Sequence, residues 1–148
     1  MDELILSAKA AHANAIVLYY KAAAYHWNVE CKNFIEMHEF FGDYYDDVYG
    51  SVDKLAEEMR TLGAYTPCSL NELYNFKTIV EDSDIPASVE GMLVNLGGAN
   101  AQMLECLNKL FDQLAAAKKQ GYANFIADRI DAHEKHAWMI KSFLKSGE

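Results

Sequence analysis

Two histidines and two carboxylates carry the most suggestive chemistry in this chain. His26 stands in the triplet His26-Trp27-Asn28, His38 follows, and Asp53 and Glu57 lie further along. Imidazole nitrogen combined with carboxylate oxygen suits iron, zinc or manganese. Asp53 and Glu57 are four apart, so on a helix both project from one face. Two adjacent carboxylates repel each other unless a cation or a proton sits between them. Each feature also has an ordinary explanation. An acidic pair at this spacing is usually a solvated helix face, and a lone histidine is more often structural than a ligand. Trp27 and the tyrosines Tyr44, Tyr45 and Tyr49 read first as packing, although tyrosines beside iron can be redox-active. His133 and His136, three apart, show no acidic partner in the sequence and read as structural.

The elements that must position these residues are helical. Ile5, Ala8, His12, Ala15, Tyr19, Ala22 and His26 step by three or four, which predicts an amphipathic helix from about Asp2 to Asn28. A second starts near Asn33, which with Glu36 resembles a capping box, and ends where Gly63 can serve as the C-cap glycine. Ser69 to Leu73 can form a short helix inside a connection that also holds Pro67 and the turn-like Asp82-Ser83-Asp84. A third long helix is expected from about Pro86 to Lys119, with Gly97-Gly98 inside it marking a bend or a close helix contact. Gly121 breaks the chain again, and the last helix runs from about Tyr122 to Lys145. The fold class is therefore all-α: a single domain over residues 1–148, built as a four-helix bundle with one long crossover.

On this layout His26 and His38 flank a short loop and can meet. Asp53 and Glu57 lie 15 and 19 residues beyond His38 on the same helix. At about 1.5 Å per residue they are roughly 22–28 Å away, so one chain cannot gather all four around one metal. An isologous dimer with antiparallel second helices can, because it sets the carboxylates of one copy opposite the histidines of the other.

Composition narrows the field. The net charge of −9 is poorly suited to non-specific DNA binding and better suited to attracting cations. Cys31, Cys68 and Cys106 are far apart and odd in number, which reads as free thiols in a reducing compartment. No segment looks like a membrane span or a secretory signal, so the expected location is the cytoplasm.

The run His26-Trp27-Asn28-Val29, then Phe34, His38, Asp53-x-x-Ala56-Glu57 and Leu62-Gly63, resembles the signature of the Dps family of ferritin-like miniferritins. The segment from Asp128 to Met139 is similar to that family's last helix, and the likeness covers nearly the whole chain. The resemblance implies a dodecameric hollow shell with metal sites shared between subunits. It implies a ferroxidase that oxidises iron(II), preferably with hydrogen peroxide, stores ferric mineral inside and protects against oxidative damage. By resemblance His26 and His38 come from one subunit, and Asp53 and Glu57 from its partner. Iron is the implied metal, with zinc or manganese as substitutes. Asp128 and Asp131 are secondary candidates, because this region lines acidic pores in the family. The Glu-x-x-His pattern of larger ferritins is absent from this sequence.

One departure bears on the chemistry. The family usually has an aspartate four residues after the second histidine, where this chain has Gly42. Asp43 is rotated about 100° around the helix, and Asp46 lies one turn on. Gly42 is expected to weaken one half of the centre, and the space it leaves could admit water or Asp46 as a substitute ligand. Cys31 also stands where the family usually has glycine. Two alternatives follow: a metal-binding cage with impaired oxidation, or a DNA-associated protective protein. Weak or absent DNA binding is expected, since the termini open with Met1-Asp2-Glu3 and close with Lys145-Ser146-Gly147-Glu148 rather than with basic tails.

Overall fold

The computed structural model describes residues 2–145. Five helices follow in order: α1 (Glu3–Asn28), α2 (Phe34–Thr61), the short α3 (Leu70–Tyr74), α4 (Val89–Ala116) and α5 (Gln120–Leu144). α1 packs along α2, α4 packs along α5, and α1 also lies against α4, which closes the four long helices into a bundle. The core runs down the middle from Leu18, Tyr25, Phe41 and Leu55 to Leu96, Leu107, Leu110 and Ile126.

Local chemistry sets most of the boundaries. Asp2 caps α1 by accepting from the Leu4 N–H at 2.8 Å, and Ser69 caps α3 by accepting from the Glu72 N–H at 3.1 Å. Gly63 ends α2 with φ of 86°, the left-handed conformation that glycine takes without strain. Three expected boundaries are corrected. Asn33 has φ −97° and ψ 48°, not the extended backbone of a capping residue, and its side chain makes no cap bond, so the capping box does not form. α4 begins at Val89 rather than Pro86, because Ser88 caps it by accepting from the Gly91 N–H at 3.0 Å. Gly121 lies within the first turn of α5. The break before it falls at Lys118, which has φ of 58°. There the Lys119 N–H donates to Leu114 O and the Lys118 N–H to Ala115 O, closing α4 in a Schellman motif.

The crossover is tied to α1 by polar side chains. Asn14 Oδ1 accepts from the N–H groups of Thr78 and Ile79 at 2.8 and 3.1 Å. Asp82 accepts from Lys21 Nζ at 2.9 Å and from the Tyr25 hydroxyl at 2.6 Å. At Gly97 an added Cβ would lie 3.3 Å from Ile140 Cγ2, so this glycine serves the close contact of α4 with α5. No helix among the described residues is long and apolar enough to cross a membrane.

Candidate metal centre

The turn between α1 and α2 brings His26 and His38 face to face. Their rings stack with centroids 3.8 Å apart and planes 13° from parallel, and Phe34 stacks on the far side of His38 at 5.1 Å. Each imidazole is held by the other residue's backbone. His26 Nδ1–H donates to the carbonyl oxygen of His38 at 2.6 Å, and His38 Nδ1–H donates to the carbonyl oxygen of His26 at 2.7 Å. A carbonyl can only accept. In the neutral ring the proton therefore sits on Nδ1 and Nε2 keeps its lone pair, which is the tautomer and orientation a metal-binding histidine needs.

Gly42 has a role that its residue type alone does not reveal. A Cβ at this position would fall 2.9 Å from both Cε1 and Nδ1 of His26. The space beside α2 is thus filled by the His26 ring rather than left for water or Asp46. The rings' Nδ1 hydrogen bonds go to each other's backbone, and Asp46 is exposed one turn further along.

Asp53 and Glu57 are both exposed on the last turns of α2. The helix is continuous from Phe34 to Thr61, so the distance to the histidines stands at roughly 22–28 Å along the axis. Within one copy the structure joins the two histidines but not the carboxylates, and among the described residues no group of three or more metal-binding side chains comes together. Asp128 and Asp131 are exposed on α5 and, three apart, share a face.

A second cluster lies between α2, α4 and α5. His133 is fully buried. Its Nδ1–H donates to Asn100 Oδ1 at 2.8 Å, and its Nε2 lies 3.2 Å from an Arg129 nitrogen and accepts from it. Both ring nitrogens are therefore occupied. Burial, then the charge of Arg129 and the neighbouring His136, push the His133 pKa down to about 3. Asn100 Oδ1 also accepts from the Tyr44 hydroxyl at 2.7 Å, which makes Tyr44 a buried hydrogen-bonding residue as well as a packing one. Asp47, which no local signal in the sequence marks out, supplies the acidic partner of His136. It accepts from His136 Nε2 at 2.8 Å and from both terminal nitrogens of Arg129 at 3.0 and 2.8 Å. Burial alone would raise the Asp47 carboxyl, but the hydrogen bonds from His136 and Arg129 outweigh it and hold the group well below the usual carboxylate range. A guanidinium stands where a cation would have to sit, so this cluster is structural.

Comparison with known proteins agrees with the fold. The family model described as a ferritin-like domain matches residues 9–148. The DNA protection during starvation protein of Brevibacillus brevis is 31% identical over 134 residues, covering 90% of this chain and 89% of that protein. The chain belongs to the Dps family of ferritin-like proteins. Dps from Thermosynechococcus elongatus superposes with a TM-score of 0.94 at 23% identity, covering 99% of this chain and 92% of that one, which supports the fold. Dps from Vibrio cholerae, described as a member of a broad superfamily of ferritin-like diiron-carboxylate proteins, gives a TM-score of 0.90 at 26% identity over 97% of this chain and 89% of its own.

Proposed function

We propose that this Dps-family protein binds iron(II) between paired copies of the chain, oxidises it with hydrogen peroxide, and stores the ferric product inside a closed homo-oligomer, a dodecamer by family resemblance. His26 and His38 of one copy each direct Nε2 at the metal, and Asp53 and Glu57 of the second copy supply the carboxylates. The observation that carries this reading is the reciprocal lock of the two imidazoles, which spends both Nδ1–H groups on backbone carbonyls and leaves both Nε2 atoms to bind. The exposure of Asp53 and Glu57, far from their own histidines, fits ligands offered to a neighbour. The description of the Vibrio cholerae relative as a ferritin-like diiron-carboxylate protein favours iron over zinc or manganese as the working metal.

Iron(II) is the substrate, and the chain's contribution is to hold it and balance its charge. Hydrogen peroxide takes up two electrons and two protons to become two waters, and each iron(II) yields a single electron. The carboxylates favour the ferric product through charge. Asp128 and Asp131, on the exposed face of α5, add negative potential that draws cations toward the shell. Gly42 contributes no ligand, so turnover is expected to be detectable but slow. The test is anaerobic iron(II) loading followed by a peroxide pulse, with ferric absorbance recorded. Oxidation faster than that of free iron(II), even if slow, that is lost in Glu57→Ala supports the reading. Oxidation no faster than that of free iron(II) in the same buffer contradicts it.

A further inference from the structure

Phe34 opens α2 and is out of place for a core residue. It is 39% exposed, whereas Phe41, two turns along the same helix, is fully buried. The half-buried hydrophobic residues packed on the core include Phe40, Phe111 and Phe125 but not Phe34. What Phe34 does touch is His38, its neighbour four residues on along the helix. Their centroids are 5.1 Å apart and their planes 20° from parallel, an offset stack of two ring faces. The other face of His38 lies on His26 at 3.8 Å.

The two imidazoles are not covered alike. His26 meets α2 at Gly42, where an added Cβ would fall 2.9 Å from its ring. Its contact with Tyr45 is distant and tilted, at 6.4 Å and 45°. His38 alone of the pair carries a benzene face. The difference matters once a cation arrives. A metal bound at Nε2 draws electron density from the imidazole, so positive charge spreads over the ring. Two such rings stacked at 3.8 Å repel each other. The π face of phenylalanine is negative and attracts a cationic group within about 6 Å of its centre. Phenylalanine can neither ligate a metal nor titrate, so any effect of Phe34 on binding passes through His38.

We propose that Phe34 is a positioning residue for metal binding: stacked on His38, it holds that imidazole against its hydrogen bond to His26 O and stabilises the charge the ring takes on when Nε2 binds a metal cation. The inference rests on the reading of His38 as a ligand and deepens it. A purely steric clamp would work with any side chain of the same size and shape. An electrostatic one depends on the sign of the ring's quadrupole. Fluorination of phenylalanine weakens that quadrupole stepwise, and full ring fluorination reverses it, with little change in shape. The two roles therefore separate at this position. The exposure of Phe34 helps, because a change there disturbs little of the core.

The experiment titrates zinc(II), which binds without redox chemistry, into the intact metal-free protein against a chromophoric chelator. Position 34 carries phenylalanine, 4-fluorophenylalanine or pentafluorophenylalanine, and each protein is also melted thermally. Affinity should fall in that order, by about 3- to 10-fold across the series, while the melting temperature stays close to that of the parent. Phe34→Leu should bind as weakly as the pentafluoro protein, and Phe34→Trp, with the strongest π face, should bind at least as tightly as the parent. Equal affinity across the fluorinated series, or an order that follows side-chain size, would overturn the electrostatic role. Zinc held no more tightly by the parent than by a His26→Ala and His38→Ala double variant would instead bring down the ligand reading, and the inference with it. If the pentafluoro protein does not fold, the singly fluorinated and tryptophan proteins still set the order.

Discussion

Replacing Gly42 with alanine separates what this glycine does for the helix from what it does for the metal. Alanine within a helix is favoured over glycine by about 1 kcal/mol, so an unconstrained site would gain stability. Here the new methyl would lie 2.9 Å from Cε1 and Nδ1 of His26. Carbon atoms rest at about 3.5–4.0 Å, so the imidazole must withdraw by roughly 0.6 Å or more. That is beyond the tolerance of about 0.5 Å within which a binding constellation works. The shift also strains or breaks the hydrogen bond from His26 Nδ1–H to His38 O, a loss of about 1 kcal/mol. The two stability terms nearly cancel, so the melting temperature should stay close to that of the parent protein. Metal affinity should fall by about 10- to 100-fold, as happens when the groups orienting a ligand histidine are disturbed. Gly42→Asp carries the same Cβ, so its added carboxylate arrives only with a displaced imidazole. The assay is competitive titration with iron(II) or zinc alongside thermal melting. A raised melting temperature with unchanged affinity would refute the argument that Gly42 is there to seat His26.

Acid should destabilise the bundle over a defined range. The His133 pKa falls from an ordinary value of 6.5 to about 3 in the folded chain. Unfolding at intermediate pH therefore takes up a proton, and the contribution is complete above about pH 6.5 and is lost as pH falls toward 3, at up to about 1.4 kcal/mol per pH unit. Asp47 is held low in the folded state, so it adds a further loss below about pH 4. Urea melts at several pH values check this, and a flat stability between pH 6.5 and 4 would contradict it. DNA binding should be weak at physiological salt, since 22 acidic residues face 13 basic ones and phosphate contacts rely on Lys and Arg. A tight gel-shift complex in the absence of bridging metal would count against that expectation.

Local signals in the sequence were enough for the helices, and long-range contacts were not. The three-to-four spacing, Ser69 and Gly63 marked element positions because capping and periodicity act over a few residues. His26 and His38 could be paired because only a short loop divides them. Asp47 could not be paired in the same way: its partners Arg129 and His136 lie 82 and 89 positions away, and nothing local distinguishes it from Asp43 or Asp46. Gly42 was recognised as unusual, but whether a glycine leaves space or yields it to a neighbour depends on a ring from another helix. Lys118 shows the same limit on a smaller scale. The sequence offered Gly121 as the breaker, yet the left-handed turn fell on a lysine, because the Schellman bonds to Leu114 and Ala115 fix the turn three residues earlier.

The central claim is that each metal site is built from two copies of the chain, and a mixed assembly tests it most directly. One variant lacks both imidazoles, as His26→Ala with His38→Ala, and the other lacks both carboxylates, as Asp53→Ala with Glu57→Ala. Each alone should oxidise iron(II) no faster than buffer. In a coassembly verified by mass, pairs of unlike subunits should contain one complete site and one doubly depleted site, and oxidation should return to a fraction of the parent rate. Full silence of the verified coassembly would contradict the shared site.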